Sequence, residues 1–396
     1  MTIAQPSGRD PASVRDPALD GLRGLAILMV YIFHYGGGLK SPNPLVRLFG
    51  SLTAAGWTGV ILFFALSGFL ITGILWDSLG QPHFLRNFYA RRILRIFPLY
   101  YATLALCCVV LVATGRMFHQ LRMMYIYAFF LQDLPKLNAI AQDIPTLPLP
   151  HLWSLAVEEQ FYLLWPFLLL LFCVRRGVRS SSRALHLCLW TFVLSAVYRT
   201  AIFGLPHIFS GQTAFYQSTF LLTHAGPLAL GAALAIALRT PANSPQHAAV
   251  TRFALPTFLL GLALYLLSSL ICKTLTPAPR FQFVLGLPAV SLAATAAIPL
   301  VLRAGWPRSL CATSPLRFLG RISYGFYIFH ILLEPIFDAI GLHFAHTSSG
   351  FFYQFVRLIA AFPITVAVSW LSFQLLEIPF LQLKRYFPMH FEIPTE

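Results

Sequence analysis

The apolar residues of this chain fall into long runs separated by short polar segments. Ten runs stand out: Leu19 to Tyr35, Trp57 to Trp76, Leu94 to Thr114, Leu152 to Val174, Ala184 to Phe203, Thr219 to Leu238, Phe253 to Ile271, Phe283 to Leu302, Ile322 to Ile340 and Phe352 to Leu376. About 20 apolar residues of helix cross the hydrocarbon core of a membrane, and a backbone in lipid must satisfy its own hydrogen bonds. The pattern therefore predicts an all-α fold, a polytopic membrane helix bundle of about ten transmembrane helices. A shorter run, Met123 to Leu131, leaves the count open.

Charge resolves that segment. If it does not span and the N-terminus is cytoplasmic, the cytoplasmic segments collect Arg86, Arg91, Arg92 and Arg95, then Arg175, Arg176, Arg179 and Arg183, then Arg239 and Arg252. Arg303, Arg308, Arg317, Arg321, Lys384 and Arg385 follow on the same side. The opposite side keeps little more than Lys40, Arg47, Arg116, Arg122, Lys136, Lys273 and Arg280. This is the positive-inside asymmetry, and a span at Met123 to Leu131 would reverse it from the VRRGVRSSSR loop onward. That segment is expected to be an interfacial or re-entrant helix. Residues 1–18, polar and Pro-containing, read as a disordered cytoplasmic tail, not a signal peptide; 19–383 read as the membrane domain and 384–396 as a short cytoplasmic tail.

Composition agrees. Hydrophobic residues make up 57% of the chain and charged residues 10%, where soluble domains carry about a quarter charged. The net charge of +15 reflects orientation and an anionic ligand at the cytoplasmic face. It does not point to nucleic acid, because no soluble basic domain exists to carry it. The six cysteines, Cys107, Cys108, Cys173, Cys188, Cys272 and Cys311, show neither metal-ligand spacing nor a secreted disulfide pattern. They read as small core residues, and no metal site is expected.

The chemistry starts in LDGLRGLAILMVYIFHY. Arg23 and His34 are eleven residues apart, which places them on one helix face about 16 Å apart along the axis. Ionisable side chains inside a membrane helix mark functional sites, and histidine titrates near neutrality. A buried histidine bonded to a neighbouring helix is the plainer alternative. In FYARRILRIFPLYY, Arg92 and Arg95 lie one helical turn apart beside Arg91. Guanidinium groups so spaced suit phosphate, although an ordinary positive-inside anchor has the same appearance. HLWSLAVEEQFYLLWP carries Glu158 and Glu159 about two turns into a helix entering from the outer side. Adjacent carboxylates diverge by about 100°, so only one is expected to face a site. That one would hold or tune the histidine or bind an acceptor hydroxyl; an ion pair with Arg199 is the alternative. Trp153 and Ser154, which open the same helix, and His330 are candidate substrate contacts. GRISYGFYIFHILLEP sets His330 and Glu334 four residues apart, where a pairing within one helix is expected. The Pro-rich DIPTLPLPH stretch is either a lid over an acceptor groove or a connector.

Taken in order, LDGLRGLAILMVYIFHY, FFALSGFLIT, FYARRILRIFPLYY, LWSLAVEEQFYLLWP and LGRISYGFYIFH resemble the membrane-bound acyltransferase 3 family. That family includes acyltransferases of O-antigen, peptidoglycan, Nod factors and macrolides. The resemblance covers nearly the whole chain. It implies a bacterial inner-membrane enzyme with both termini cytoplasmic that uses acyl-CoA, commonly acetyl-CoA, to acylate a hydroxyl of a glycan, glycolipid or secondary metabolite. The family's Arg-x10-His pair falls on Arg23 and His34, and its Arg-x-x-Arg motif on Arg92 and Arg95. Two positions depart: Ile61 stands where the family often has aspartate, and His224 where it often has arginine. The expected mechanism docks the donor's phosphates on Arg92 and Arg95, with Arg23 as a third cation, and threads the pantetheine arm toward His34 as general base, with Glu158 or Glu159 orienting it. Competing readings are a proton-coupled secondary transporter of a sugar or anion and a haem protein with His34 and His330 as axial ligands.

Overall fold

A computed structural model describes residues 16–36, 43–115, 124–137, 149–175, 178–204, 217–276 and 281–389. The expected terminal tails (up to residue 15, and from 390 onward) and most of the DIPTLPLPH stretch lie outside those residues. The helices are α1 (Pro17–Gly36), α2 (Pro44–Thr53), α3 (Thr58–Ser78), α4 (Phe84–Ala113), α5 (Met124–Ala128), α6 (Trp153–Cys173), α7 (Ser181–Gly204) and α8 (Leu221–Ala237). They continue as α9 (Pro245–Cys272), α10 (Leu287–Leu302), α11 (Trp306–Cys311), α12 (Ser314–Leu332), α13 (Glu334–Ala345), α14 (Phe351–Ser372) and α15 (Ile378–Gln382). The one sheet among the described residues is the two-stranded hairpin pairing Val174–Arg175 with Val178–Arg179.

Each of the ten apolar runs lands on a helix. Among the described residues, eight helices are long and apolar enough to cross a membrane, the bent pair α12–α13 brings the number to nine, and α8 is a shorter apolar helix. The molecule is a polytopic helical membrane protein, and its outward side chains fit lipid: Leu189, Trp190, Leu194 and Val197 on α7, and Leu259, Leu260, Leu266 and Leu270 on α9, are exposed. Met123 to Leu131 does not span. Its helix is only α5, with Met124, Ile126 and Tyr127 buried and Tyr100 donating to the Tyr127 carbonyl at 2.8 Å. The chain turns back at Phe130, whose φ of 54° is left-handed.

Backbone contacts build the centre. Gly24 on α1 lies against α12 so closely that a Cβ there would meet the Leu316 carbonyl oxygen at 2.0 Å, and one at Gly320 would meet that of Asp20 at 1.7 Å. The same holds between α3 and α8, through Gly68 and Gly231. Without water to drive helices together, this close approach of small residues is what packs them, and it explains the glycines in the LDGLRGLA and LGRISYG motifs.

One expectation is corrected here. His330 and Glu334 do not share a helix: α12 ends at Leu332 and α13 departs at 56°. Pro335, in the first turn of α13, cannot donate to the preceding turn, so the helix breaks before it. Glu334 accepts from Arg357 on α14 at 2.6 Å, while His330 points elsewhere.

Candidate active site

A cavity of about 2090 Å³ opens at the arginine-rich end of the bundle. Its wall carries seven cationic side chains, Arg23, Arg91, Arg92, Arg95, Arg179, Arg239 and Lys384, against four carboxylates, Asp16, Asp20, Asp77 and Glu158. Three of these cations hold the fold together: Arg239 forms a two-pronged pair with Asp77 at 2.6 and 2.8 Å, Arg91 donates to the Lys384 and Phe387 carbonyls at 3.3 and 3.0 Å, and Arg179 donates to the Trp76 carbonyl at 2.6 Å. Arg92 lies over the rings of Phe88 and Tyr162, at 5.9 and 5.6 Å, in cation–π contact. Arg95, one turn further along α4, is buried 3.7 Å from Glu377. Both line the cavity together with Arg23, so the one-turn spacing presents a joint cationic wall.

Of the adjacent glutamates, Glu158 lines the cavity and Glu159 does not. Ser67 and Tyr162 each donate to Glu158 at 2.8 Å, and their two hydroxyl oxygens lie 3.0 Å apart. The positive charges acting on Glu158 are those of Arg23 and Arg92. The ion pair with Arg199 does not form: that guanidinium donates to the Ser195 hydroxyl at 2.5 Å and the Thr223 carbonyl at 2.8 Å.

The second cluster lies outside the lining of this cavity. His34 is exposed, and its Nδ1 sits 2.9 Å from the Val30 carbonyl oxygen. A carbonyl only accepts, so in the neutral ring Nδ1 carries the proton and Nε2 keeps its lone pair. His330 repeats the arrangement: Nδ1 faces the Tyr327 carbonyl at 2.7 Å, and the buried Nε2 has no hydrogen-bond partner among the described residues. The rings of His34 and His330 meet edge to face at 5.0 Å, and His151 packs on His330 at 5.3 Å. Tyr327 donates to the His151 carbonyl at 2.7 Å and contacts the Ser154 hydroxyl at 2.6 Å.

The structure thus gathers Arg23, Arg92, Arg95 and Glu158 in one place and His34, His330 and Ser154 in another. It does not bring Glu158 or Glu159 to His34. Trp153 turns away from His34, packing on His224 at 4.8 Å and Phe64 at 6.0 Å. The sequence reading missed His151, Tyr327, Ser67 and Tyr162. The four-residue spacing of Glu158 and Tyr162 was an available signal; the meeting of His151 with His330 had none, since it depends on how the 3-10 turn Pro150–Leu152 ahead of α6 packs on α12. The haem alternative fails on geometry, because rings 5.0 Å apart leave no room for a macrocycle.

Outside the spans, Asp133 is fully buried and accepts from Gln160 at 2.6 Å; burial pushes its carboxyl up to about 7.

Comparison with known proteins bears on both clusters. The chain is 29% identical over 384 residues to "Peptidoglycan O-acetyltransferase OatA" of Listeria monocytogenes serovar 1/2a, covering 92% of this chain and 55% of that protein. It is 29% identical over 341 residues to "Putative peptidoglycan O-acetyltransferase YrhL" of Bacillus subtilis, covering 81% and 49%, and 25% identical over 381 residues to "O-acetyltransferase OatA" of Staphylococcus aureus strain NCTC 8325, covering 92% and 57%. The chain therefore spans about half the length of the curated relatives it matches. No solved structure matches. The model of the acyltransferase domain matches residues 16–373, a stretch that takes in both the arginine wall and the histidine cluster, and the chain belongs to the acyltransferase 3 family.

Proposed function

We propose that this protein is an O-acyltransferase of the bacterial inner membrane that moves an acetyl group from acetyl-CoA to a hydroxyl of a cell-envelope glycan. The observation that carries the reading is the pairing of a cation-walled cavity with a base-ready histidine further along the same helix. Arg23 and His34 are about 16 Å apart along α1. An extended pantetheine arm is roughly four to five residue-lengths of chain, about 14–18 Å. A donor whose phosphates lie on Arg92, Arg95 and Arg23 thus has the reach to bring its thioester to the His34 level. The arginine end faces the cytoplasm, where acyl-CoA is found, and both termini lie on that side, as the positive-inside asymmetry supports.

His34 Nε2 removes the proton of the acceptor hydroxyl as its oxygen attacks the thioester carbonyl carbon. The C–S bond then breaks, the ester forms, and the imidazolium returns the proton to the departing thiolate. Val30 fixes the tautomer this requires. Ser154 and His330 border the acceptor's position beside His34, and Trp153 has a packing role. Glu158 acts on the donor side: hydrogen-bonded to Ser67 and Tyr162, it stands among the arginines and balances their charge. No catalytic part falls to Glu159. That a relative is a peptidoglycan O-acetyltransferase makes an envelope glycan the first acceptor to test.

The test is mass spectrometry of envelope glycans from cells with and without the gene, combined with transfer in sealed vesicles. An acyl mass shift that depends on the gene, and transfer only when acetyl-CoA meets the arginine-bearing face, are the expected results. Gene-independent glycans, with a sugar or anion accumulating in vesicles instead, would establish the transporter reading.

A further inference from the structure

The lining of the donor cavity stops short of His34, and the residues at that end are identifiable. On α1 its wall ends at Arg23; on α12 only Tyr324 reaches it. On α3 and α6, which run toward the arginine end, the wall begins at Phe63 and Leu155. Ser154, next to Leu155, contacts Tyr327, which packs at 5.5 Å from His330. Phe63 and Leu155 therefore have two sides. One side faces the cavity, where both are only partly buried despite their depth in the bundle. The other packs into the apolar cluster of Tyr31, Tyr35, Phe326 and Tyr327 that surrounds the approach to His34.

We propose that Phe63 and Leu155 form the aperture through which the acyl thioester passes to His34, and that this aperture limits the donor to short acyl chains. The inference rests on the reading of the cavity as the acyl-CoA site and of His34 as the base. Two apolar side chains can open such a partition by changing rotamer, with no polar group left unpaired. Beyond them, Tyr31, Tyr35, Tyr327 and His330 are buried and close-packed. An acetyl group needs little displacement there. Each further methylene must displace well-packed atoms, which dense cores resist. Removing side-chain volume at either residue should therefore relax chain-length selection without touching the arginines or His34.

The experiment uses membranes containing the full-length chain and its endogenous acceptor, supplied with equal concentrations of acetyl-CoA and butyryl-CoA. Wild type should transfer acetyl almost alone. Phe63→Ala and Leu155→Ala should raise the ratio of butyryl to acetyl transfer by about 10-fold or more, the range in which apolar pockets discriminate single methylenes. Leu155→Phe should slow acetyl transfer while binding of labelled CoA to the membranes stays at the wild-type level; this second variant guards against a misfolded alanine mutant. Alanine variants that bind CoA and keep the wild-type ratio, beside an active wild type, would overturn the aperture alone. A wild type that uses neither thioester would overturn the donor reading, and the aperture with it.

Discussion

Replacing His34 with alanine separates chemistry from structure, because the residue contributes much to one and little to the other. Its side chain is exposed, so truncation leaves no cavity in the core. The losses are the Nδ1 hydrogen bond to Val30 at 2.9 Å and the edge contact with His330 at 5.0 Å. A neutral hydrogen bond is worth about 0.5–1.5 kcal/mol net, and a ring pair about as much. The fold should thus lose about 1–3 kcal/mol at most, and the variant should still express and fold. Loss of a general base costs about 10²–10⁴ in rate, or roughly 3–5 kcal/mol of barrier. The assay is transfer from labelled acetyl-CoA to membrane glycan, normalised to folded protein, with labelled-CoA binding measured in parallel. Binding should persist and transfer should fall at least about 100-fold. Transfer above about a tenth of wild type would refute the reasoning, because no general base in this role is worth so little.

Two further outcomes follow from the same geometry. Replacing both Arg92 and Arg95 with alanine should strongly weaken CoA binding, and added salt should weaken wild-type binding as well, since phosphate contacts are charge-assisted; equal affinity in the double variant would leave these arginines with topology alone. Asp133→Asn should stabilise the fold, and by more at pH 8 than at pH 5. The folded carboxyl, pushed up to about 7, keeps a proton that the unfolded chain has released above about 4, so wild-type stability falls as pH rises through that window. Thermal melts giving the same gain at both pH values would refute it.

The sequence by itself determined the class of the molecule and singled out the candidate reactive groups. Apolar runs of about 20 residues admit only helices in lipid, so the helix count needed little from tertiary structure. Local spacing likewise put Arg92 and Arg95 on one wall, because one turn of α-helix fixes their relation regardless of neighbours. It also predicted that Glu158 and Glu159 would diverge, and only Glu158 lines the cavity. Where the reading failed, the deciding contact was between helices or at a break. Pro335 separated Glu334 from His330, a local signal that the apolar run overrode. Glu158 went to Ser67 and the arginines instead of His34 because α6 faces α3 and α4 at that depth. Tertiary structure alone assembled His34, His330 and His151 from three helices, and it alone set Phe63 and Leu155 between the cavity and that cluster. Periodicity says which face a side chain takes on its own helix; the partner across the interface is chosen by how closely glycines such as Gly24 and Gly320 let the backbones approach.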